Sequence, residues 1–169
     1  INEKFRKLKK INKNSYIRRE YYYIKVKEIK KGMHDGIPIA LGYISVSFTF
    51  GLMAVSAGMT WWQAVIISMA NVTSAGQFAG LDIMIASGGM IEMALTQFII
   101  NLRYALMSIS LSQKLDKSFT LLSRLATGFG VTDEIFAVSV RRNKSVSKYY
   151  MAGIIDVPYV GWAAGTGAG

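Results

Sequence analysis

Charged side chains interrupt the long apolar segments of this chain at a few positions. Two are basic, Arg103 and Arg124, and five are acidic: Asp82, Glu92, Asp133, Glu134 and Asp156. A charge in a bilayer costs about 2.5–3.5 kcal/mol on insertion scales, so each one requires a partner or a function. Because the acids outnumber the bases, we expect some acids to be protonated, to lie near an interface, or to face a cation. Asp82 and Glu92 flank the turn at Ser87–Gly89, which places them at the interface.

Asp133 and Glu134 are adjacent, and neighbouring residues of a helix point about 100° apart. Both can therefore face one interior only where the backbone is irregular. The sequence Gly128–Gly130 provides a place for such a break, and Thr132 is suited to cap the helix that resumes after it. The pattern predicts a discontinuous span whose half-helix ends and carboxylates bind a substrate.

Two interpretations of these carboxylates stay open. In the first, Asp133, Glu134 and Asp156 are candidates for carrying a coupling proton. In the second, the acids form a structural ion pair with Arg103 or Arg124 that only holds helices together.

A second polar string, Asn71–Gln77, interrupts an earlier apolar segment. Such residues often serve only as hydrogen-bonding contacts between helices, and Gly76 and Gly80 form a small-xxx-small packing face. The alternative is a second broken helix, whose free N–H groups would meet a carboxylate with Arg103 nearby. The predicted substrate-binding residues are Ser74, Ala75, Gly76, Gln77, Asn101, Arg103, Thr132, Asp133 and Glu134.

The composition indicates a membrane protein rather than a soluble domain. Of the 169 residues, 51% are hydrophobic, Cys is absent and the net charge is +10. Residues 1–31 hold 12 basic and 3 acidic side chains, and 46 consecutive residues between Asp35 and Asp82 hold no charge. One helical span needs about 20 apolar residues. A soluble domain, a disordered chain and a disulfide scaffold are therefore excluded.

We predict an all-α, polytopic helical membrane protein with about five spans, two of them interrupted in mid-membrane. Residues 1–33 form a basic, amphipathic, cytoplasmic segment, and residues 34–169 form a transmembrane transporter domain that we expect to be truncated at its C-terminus. Pro38 suits a first helical turn. The spans are predicted at residues 37–57, 61–86, 90–112 and 119–140, with the fifth beginning at residue 149.

Basic residues predict the orientation, because cytoplasmic loops are enriched in Lys and Arg. The N-terminal flank and the basic loop 141–148 are both predicted to be cytoplasmic, which requires an even number of spans between them. Four spans satisfy this, and they place loop 113–118 outside.

Ile1, Phe5, Leu8 and Ile11 recur at helical spacing among basic residues. This pattern favours an amphipathic helix on anionic lipid. A solvated flank is the plainer alternative, and a nucleic-acid arm is a third that we do not favour. No set of residues for metal binding or nucleophilic catalysis is evident, so we expect neither a cofactor nor an enzyme.

The motifs together resemble one family, the AzlC-type branched-chain amino-acid permeases. The resemblance extends over residues 32–169 and is carried by Gly32, Asp35–Ile39 and Leu41–Tyr43, then Ser74–Phe78, Asn101–Tyr104 with Leu106–Ser108, and Thr132–Glu134 with Phe136 and Ala137. The Asn-Leu-Arg and Thr-Asp-Glu elements are the most specific. The glycine-rich end, Gly153 to Gly169, matches weakly.

The resemblance implies an exporter of valine, leucine and isoleucine in the bacterial inner membrane. It further implies a small hydrophobic membrane subunit of the AzlD type as a partner. A proton is the coupling ion we expect. The alternative is a non-transporting membrane scaffold in which the polar residues only lock helices together.

Overall fold

A computed structural model describes the backbone of residues 2–169 and the side chains of residues 17–169. Within this part the chain forms helices and no strands. The helices are α1 (Asn2–Ser56), α2 (Trp61–Ala70), α3 (Ser74–Ile85), α4 (Met90–Ser112), α5 (Leu121–Gly130), α6 (Asp133–Val140) and α7 (Lys148–Ala168). The prediction of an all-α fold is confirmed, and both predicted interruptions are present, between α2 and α3 and between α5 and α6.

The basic N-terminal segment and the first apolar segment form one helix. α1 has 55 residues, so it is about 80 Å long and far exceeds the roughly 30 Å thickness of a bilayer core. Pro38 lies inside this helix rather than in its first turn, which corrects the prediction, because the basic segment continues the helix N-terminal to it. Ile1, Phe5, Leu8 and Ile11 lie outside the described side chains, so lipid binding by that face stays a prediction.

α1 and α7 pack against each other in parallel through small residues. A Cβ atom added at Gly32 would overlap the carbonyl oxygen of Tyr150, and one added at Gly51 would overlap that of Thr166. Since both contact positions advance together along the two helices, the helices run in the same direction. Side chains as small as hydrogen let two backbones approach this closely, as in other small-xxx-small interfaces.

The segment that was predicted as a second span turns back on itself. Ala64, in the first half of α2, and Leu81, in the second half of α3, belong to one buried cluster with Phe50 and Ala54 near the C-terminus of α1. Both outer ends of this helix pair therefore lie at the same end of the molecule. We call α2 and α3 hairpin A; its tip is the break at residues 71–73.

α5 and α6 form a second such pair, which we call hairpin B, with its tip at residues 131–132. Its two ends are held together by backbone hydrogen bonds from Asp116 N to Val146 O (3.0 Å) and from Val146 N to Lys114 O (2.9 Å). Loops 113–118 and 141–147 are thus neighbours. The prediction that loop 113–118 lies on the opposite side from loop 141–148 is wrong, because these bonds join the two loops.

The count of five spans is not confirmed. Among residues 17–169, two helices, over Ile17–Ser56 and Met90–Ser112, are long and apolar enough to cross a membrane by length and composition. α2, α3, α5 and α6 have only 8–12 residues each. At 1.5 Å per residue each extends about 12–18 Å, which is half of a bilayer core.

The two hairpins are built to the same plan. Each first helix follows a threonine N-cap in a capping box, Thr60 for α2 and Thr120 for α5. Each second helix follows another threonine N-cap, Thr73 for α3 and Thr132 for α6. Hairpin A is attached beside the C-terminal end of α1 and hairpin B beside the end that carries the basic loops, so their tips approach each other from opposite directions.

This arrangement predicts which loops share a side of the membrane. In the cysteine-free chain, Lys117→Cys and Ser145→Cys should react with a membrane-impermeant thiol reagent from one side only, and from the same side. Ser87→Cys, in the turn after hairpin A, should react from the opposite side. Labelling of Lys117→Cys and Ser145→Cys from different sides would show that residues 121–140 cross the membrane once instead of turning back.

The glycine contacts predict a position-specific loss of stability. Gly51→Ala should destabilise the folded protein in detergent by about 1–3 kcal/mol, because the methyl group meets the backbone of α7. Gly42→Ala is the matched control on the same helix, since no atom lies within 4 Å of a Cβ added there. Thermal unfolding of both variants tests this, and equal midpoints would refute close α1–α7 packing.

Candidate functional site

A cavity of about 220 Å³ lies where the tips of the two hairpins meet, and we call it the central cavity. It is lined by the first tip, by α4 and by the second tip: Ala70, Asn71, Val72 and Thr73; Asn101 and Tyr104; Gly128, Phe129 and Val131. Its lining combines amides and hydroxyls with apolar side chains. The two breaks that the sequence predicts therefore contribute to one site.

The helices that leave the two tips present their N-termini at this site. The first backbone N–H groups of a helix have no partner within the helix and carry a partial positive charge. In α3, the Thr73 hydroxyl accepts one of them, from Gly76 N at 3.4 Å. In α6, Thr132 is at the N-cap as predicted, but its side chain makes no capping hydrogen bond. The Thr132 side chain thus leaves the first amides of α6 uncapped.

Asn101 lines the central cavity, and its side chain holds one buried acceptor that is unsatisfied. Its Nδ2 donates to Gln97 Oε1 at 3.3 Å, whereas its buried Oδ1 has no hydrogen-bond partner. Asn71 Nδ2 donates to the same Gln97 oxygen at 3.1 Å, and Gln97 Nε2 donates to Gly76 O at 2.7 Å. This network ties the first tip to α4. An unpaired buried acceptor costs about 1–3 kcal/mol, so Asn101 Oδ1 favours a ligand that brings a donor.

Arg103 and Asp133 form an ion pair beside the cavity. Arg103 Nη1 lies 2.9 Å from Asp133 Oδ2, and the two side chains are 47% and 45% exposed. Arg103 Nη2 also donates to the Tyr104 hydroxyl at 3.0 Å. The pair joins α4 to the start of α6, as the ion-pair interpretation expects for Asp133. Half-exposed charges among apolar helices nevertheless require water or polar groups around them.

Glu134 is held by a hydroxyl rather than by an arginine. The Tyr43 hydroxyl lies 2.5 Å from Glu134 Oε2 and 2.5 Å from Thr132 Oγ1. Because a phenol has one proton, donation to the carboxylate leaves the Thr132 hydroxyl to donate to the Tyr43 oxygen. The Tyr43 ring packs edge-on against Trp162, with centroids 5.0 Å apart. α1 and α7 together thus position the group that contacts Glu134.

The remaining predicted residues differ in how close they lie to the central cavity. Ser74, Ala75 and Gly76 form the first turn of α3 beside the tip. Gln77 is buried on another side of hairpin A, where its Oε1 accepts from Ser68 at 3.0 Å, and Ser68 lies 2.7 Å from the Thr166 hydroxyl. Asp156 is exposed on α7 and does not line the central cavity.

Tyr43, Asn71 and Tyr104 contribute to the site without having been predicted to bind substrate. Tyr43 and Tyr104 lie at similar distances before the threonine caps Thr60 and Thr120 that begin the two hairpins. That recurring spacing could have indicated both tyrosines. Asn71 was recognised as part of the polar string but not as a binding residue.

Taken together, the arrangement suits a small zwitterion. The N-terminus of α6, which begins beside the Arg103–Asp133 ion pair, carries a partial positive charge that suits a carboxylate. Asn101 Oδ1, which lacks a partner, and the carboxylates of Asp133 and Glu134 are the acceptors that suit an ammonium group. Val72, Phe129 and Val131 provide an apolar wall within the same cavity.

Comparison with known proteins identifies a family. The model of the AzlC protein family matches residues 38–169. The chain is 34% identical to an uncharacterized membrane protein of Archaeoglobus fulgidus over 140 residues, which are 83% of this chain and 60% of the relative. It is also 34% identical to inner membrane protein YgaZ of Escherichia coli K12 over 144 residues, 80% of this chain and 57% of the relative.

A more distant relative is an uncharacterized membrane protein of Helicobacter pylori, 26% identical over 113 residues that make up 67% of this chain and 49% of the relative. The chain thus spans about half to three fifths of the length of these relatives. No solved structure matches the chain.

Proposed function

This chain belongs to the AzlC family, and from that premise we propose that it is the large subunit of a secondary transporter that exports branched-chain amino acids. It resides in the cytoplasmic membrane with its basic N-terminus inside, and it works with a small hydrophobic membrane subunit of the AzlD type. It moves its substrate without chemical change, so we propose no enzymatic activity and no cofactor.

The central cavity is the observation that carries this proposal. Secondary transporters bind their substrates near the bilayer midplane, where broken helices present half-helix ends to the ligand. Here the tips of hairpins A and B, which enter from opposite ends, line one cavity together with α4. A valine, leucine or isoleucine would place its carboxylate at the α6 N-terminus, its ammonium at Asn101 Oδ1 and its side chain against Phe129 and Val131.

Coupling to a proton is the second part of the proposal, and Glu134 is the residue we assign to it. Asp133 is already paired, because its Oδ2 lies 2.9 Å from the Arg103 guanidinium. Glu134 instead contacts the neutral Tyr43 hydroxyl, and among residues 17–169 it has no ion-pair partner. When Glu134 is protonated it donates to Tyr43, which then donates to Thr132; when it is ionised the direction of this chain reverses.

Export is tested by timing efflux. Cells that express the full-length gene with its small partner are loaded with a leucine-containing dipeptide, and external leucine is measured. We expect efflux faster than in cells without the pair, and we expect an uncoupler to abolish the increase. No increase, with both proteins present in the membrane, would contradict branched-chain amino-acid export and favour a scaffold.

The binding role of Asn101 is tested in the same assay. Asn101→Ala should lower the efflux rate at least tenfold at limiting leucine, because loss of one charge-assisted hydrogen bond costs about 1.5–3 kcal/mol. Asn143→Ala, in the exposed loop between α6 and α7, is the matched control and should export normally. Equal rates for the two variants would remove Asn101 from the substrate site.

The coupling role of Glu134 predicts a separation of two activities. Glu134→Gln should retain exchange of labelled leucine across proteoliposome membranes but lose transport driven by a pH gradient, since the amide keeps the hydrogen bond to Tyr43 and cannot carry a proton. Asp156→Asn should leave gradient-driven transport intact. Gradient-driven transport by Glu134→Gln would exclude Glu134 as the proton carrier.

A further inference from the structure

A second, smaller cavity lies next to the central cavity, on the side of the basic end of the molecule. Its volume is about 50 Å³, and it lies between the last two turns of α4 and the length of α5. Gly128 and Val131 line both cavities. We call this space the side cavity; its polar lining consists of Ser108, Ser112, Arg124 and Thr127.

Arg124 is the charged group of the side cavity, and neither the fold nor the proposed site uses it. Among residues 17–169, no carboxylate lies within ion-pair distance of its guanidinium. Arg124 is itself exposed in the first turn of α5, beside Leu121, Leu122 and Leu125, whose strong exposure is typical of a lipid-facing surface. A guanidinium cannot lose its charge in such a setting, so an unpaired Arg within a membrane segment calls for an anion.

The other polar groups of the side cavity complement that anion. Ser108, Ser112 and Thr127 present hydroxyls, each of which can donate or accept a hydrogen bond. The Ser112 hydroxyl donates to the backbone oxygen of Ile109 at 2.6 Å, and its lone pairs stay free to accept from an ammonium group. A guanidinium beside hydroxyl acceptors fits a zwitterion better than it fits a simple anion.

We propose that the side cavity is the site where the amino acid first binds on the basic side of the membrane, with its α-carboxylate held by the Arg124 guanidinium. This inference rests on the proposed function and adds a second binding residue to it. The substrate then passes Gly128 to reach the central cavity, and a side chain at position 128 would occupy that passage. The cavity is smaller than an amino acid here, so hairpin B and α4 must separate when the substrate enters.

The position of the side cavity favours this ligand over a lipid phosphate, which an arginine near a helix end could also bind. Gly128 and Val131 line both cavities, so the side cavity lies between Arg124 and the central cavity. A phospholipid headgroup could bind Arg124 without approaching the central cavity.

The experiment uses Ser112→Cys as a reporter in the otherwise cysteine-free chain, expressed at full length with its small partner. Modification by a small thiol reagent is timed with and without leucine in membranes open on the basic side. Leucine should slow modification, whereas isoamylamine, which lacks the carboxylate, should not. In the background of Arg124→Gln the leucine concentration that gives half protection should rise at least tenfold. Arg124→Lys keeps the positive charge, so it should restore part of the lost affinity for leucine.

Lys117→Gln is the matched control, because it removes an exposed positive charge from the adjoining loop and should leave protection unchanged. Thr127→Cys replaces Ser112→Cys as the reporter if the first variant fails to fold. Val72→Cys, in the central cavity, is the second reporter. Protection of Val72→Cys without protection of Ser112→Cys would overturn the side-cavity site alone, and protection of neither would overturn the proposed function as well.

Two further results would overturn the inference. Undiminished protection of Ser112→Cys in the Arg124→Gln background would show that Arg124 does not hold the carboxylate. Slower modification in vesicles of phosphatidylglycerol than in phosphatidylcholine, with no effect of leucine, would assign Arg124 to a lipid phosphate instead.

Discussion

Close packing between α1 and α7 is the constraint on which the rest of the structure depends. Glycines on both helices bring the two backbones into contact at intervals from Gly32 to Gly51. The pair then forms a fixed wall against which both hairpins lie. It also brings Tyr43 of α1 beside Trp162 of α7, and it thereby fixes the hydroxyl that contacts Glu134. A change in the packing of α1 on α7 would move the Tyr43 hydroxyl and thereby alter its contact with Glu134.

The two hairpins meet a second constraint, which is that unpaired backbone groups are not tolerated against lipid. Irregular backbone at membrane depth persists only where it is buried in protein or lines a polar cavity. The breaks at residues 71–73 and 131–132 both adjoin the central cavity. The feature that makes these segments costly in a membrane is thus the feature that, under the proposed function, supplies amides and carboxylates to a ligand. The proposal therefore makes stability and binding depend on the same residues.

The sequence predicted where the helices and their breaks lie better than it predicted which segments cross the membrane and which turn back. Asn71–Gln77 and Gly128–Thr132 indicated both breaks, because polar strings and paired glycines inside apolar segments are local signals. Whether each segment continues across the membrane or turns back is not local, and the basic loops restrict only the parity of the crossings. Two crossings satisfy that parity as well as four. The Tyr43–Glu134 contact joins residues 91 positions apart and carries no signature in either segment.

Cross-linking can show whether the tips of the two hairpins meet at one cavity. Val72→Cys and Phe129→Cys place one thiol on each tip, and a protease site in the turn at residues 87–89 lies between them in the chain. A short bifunctional thiol reagent should keep the two cleaved halves joined, and leucine should reduce the yield. Halves that separate completely, in protein that still unfolds cooperatively, would contradict the account.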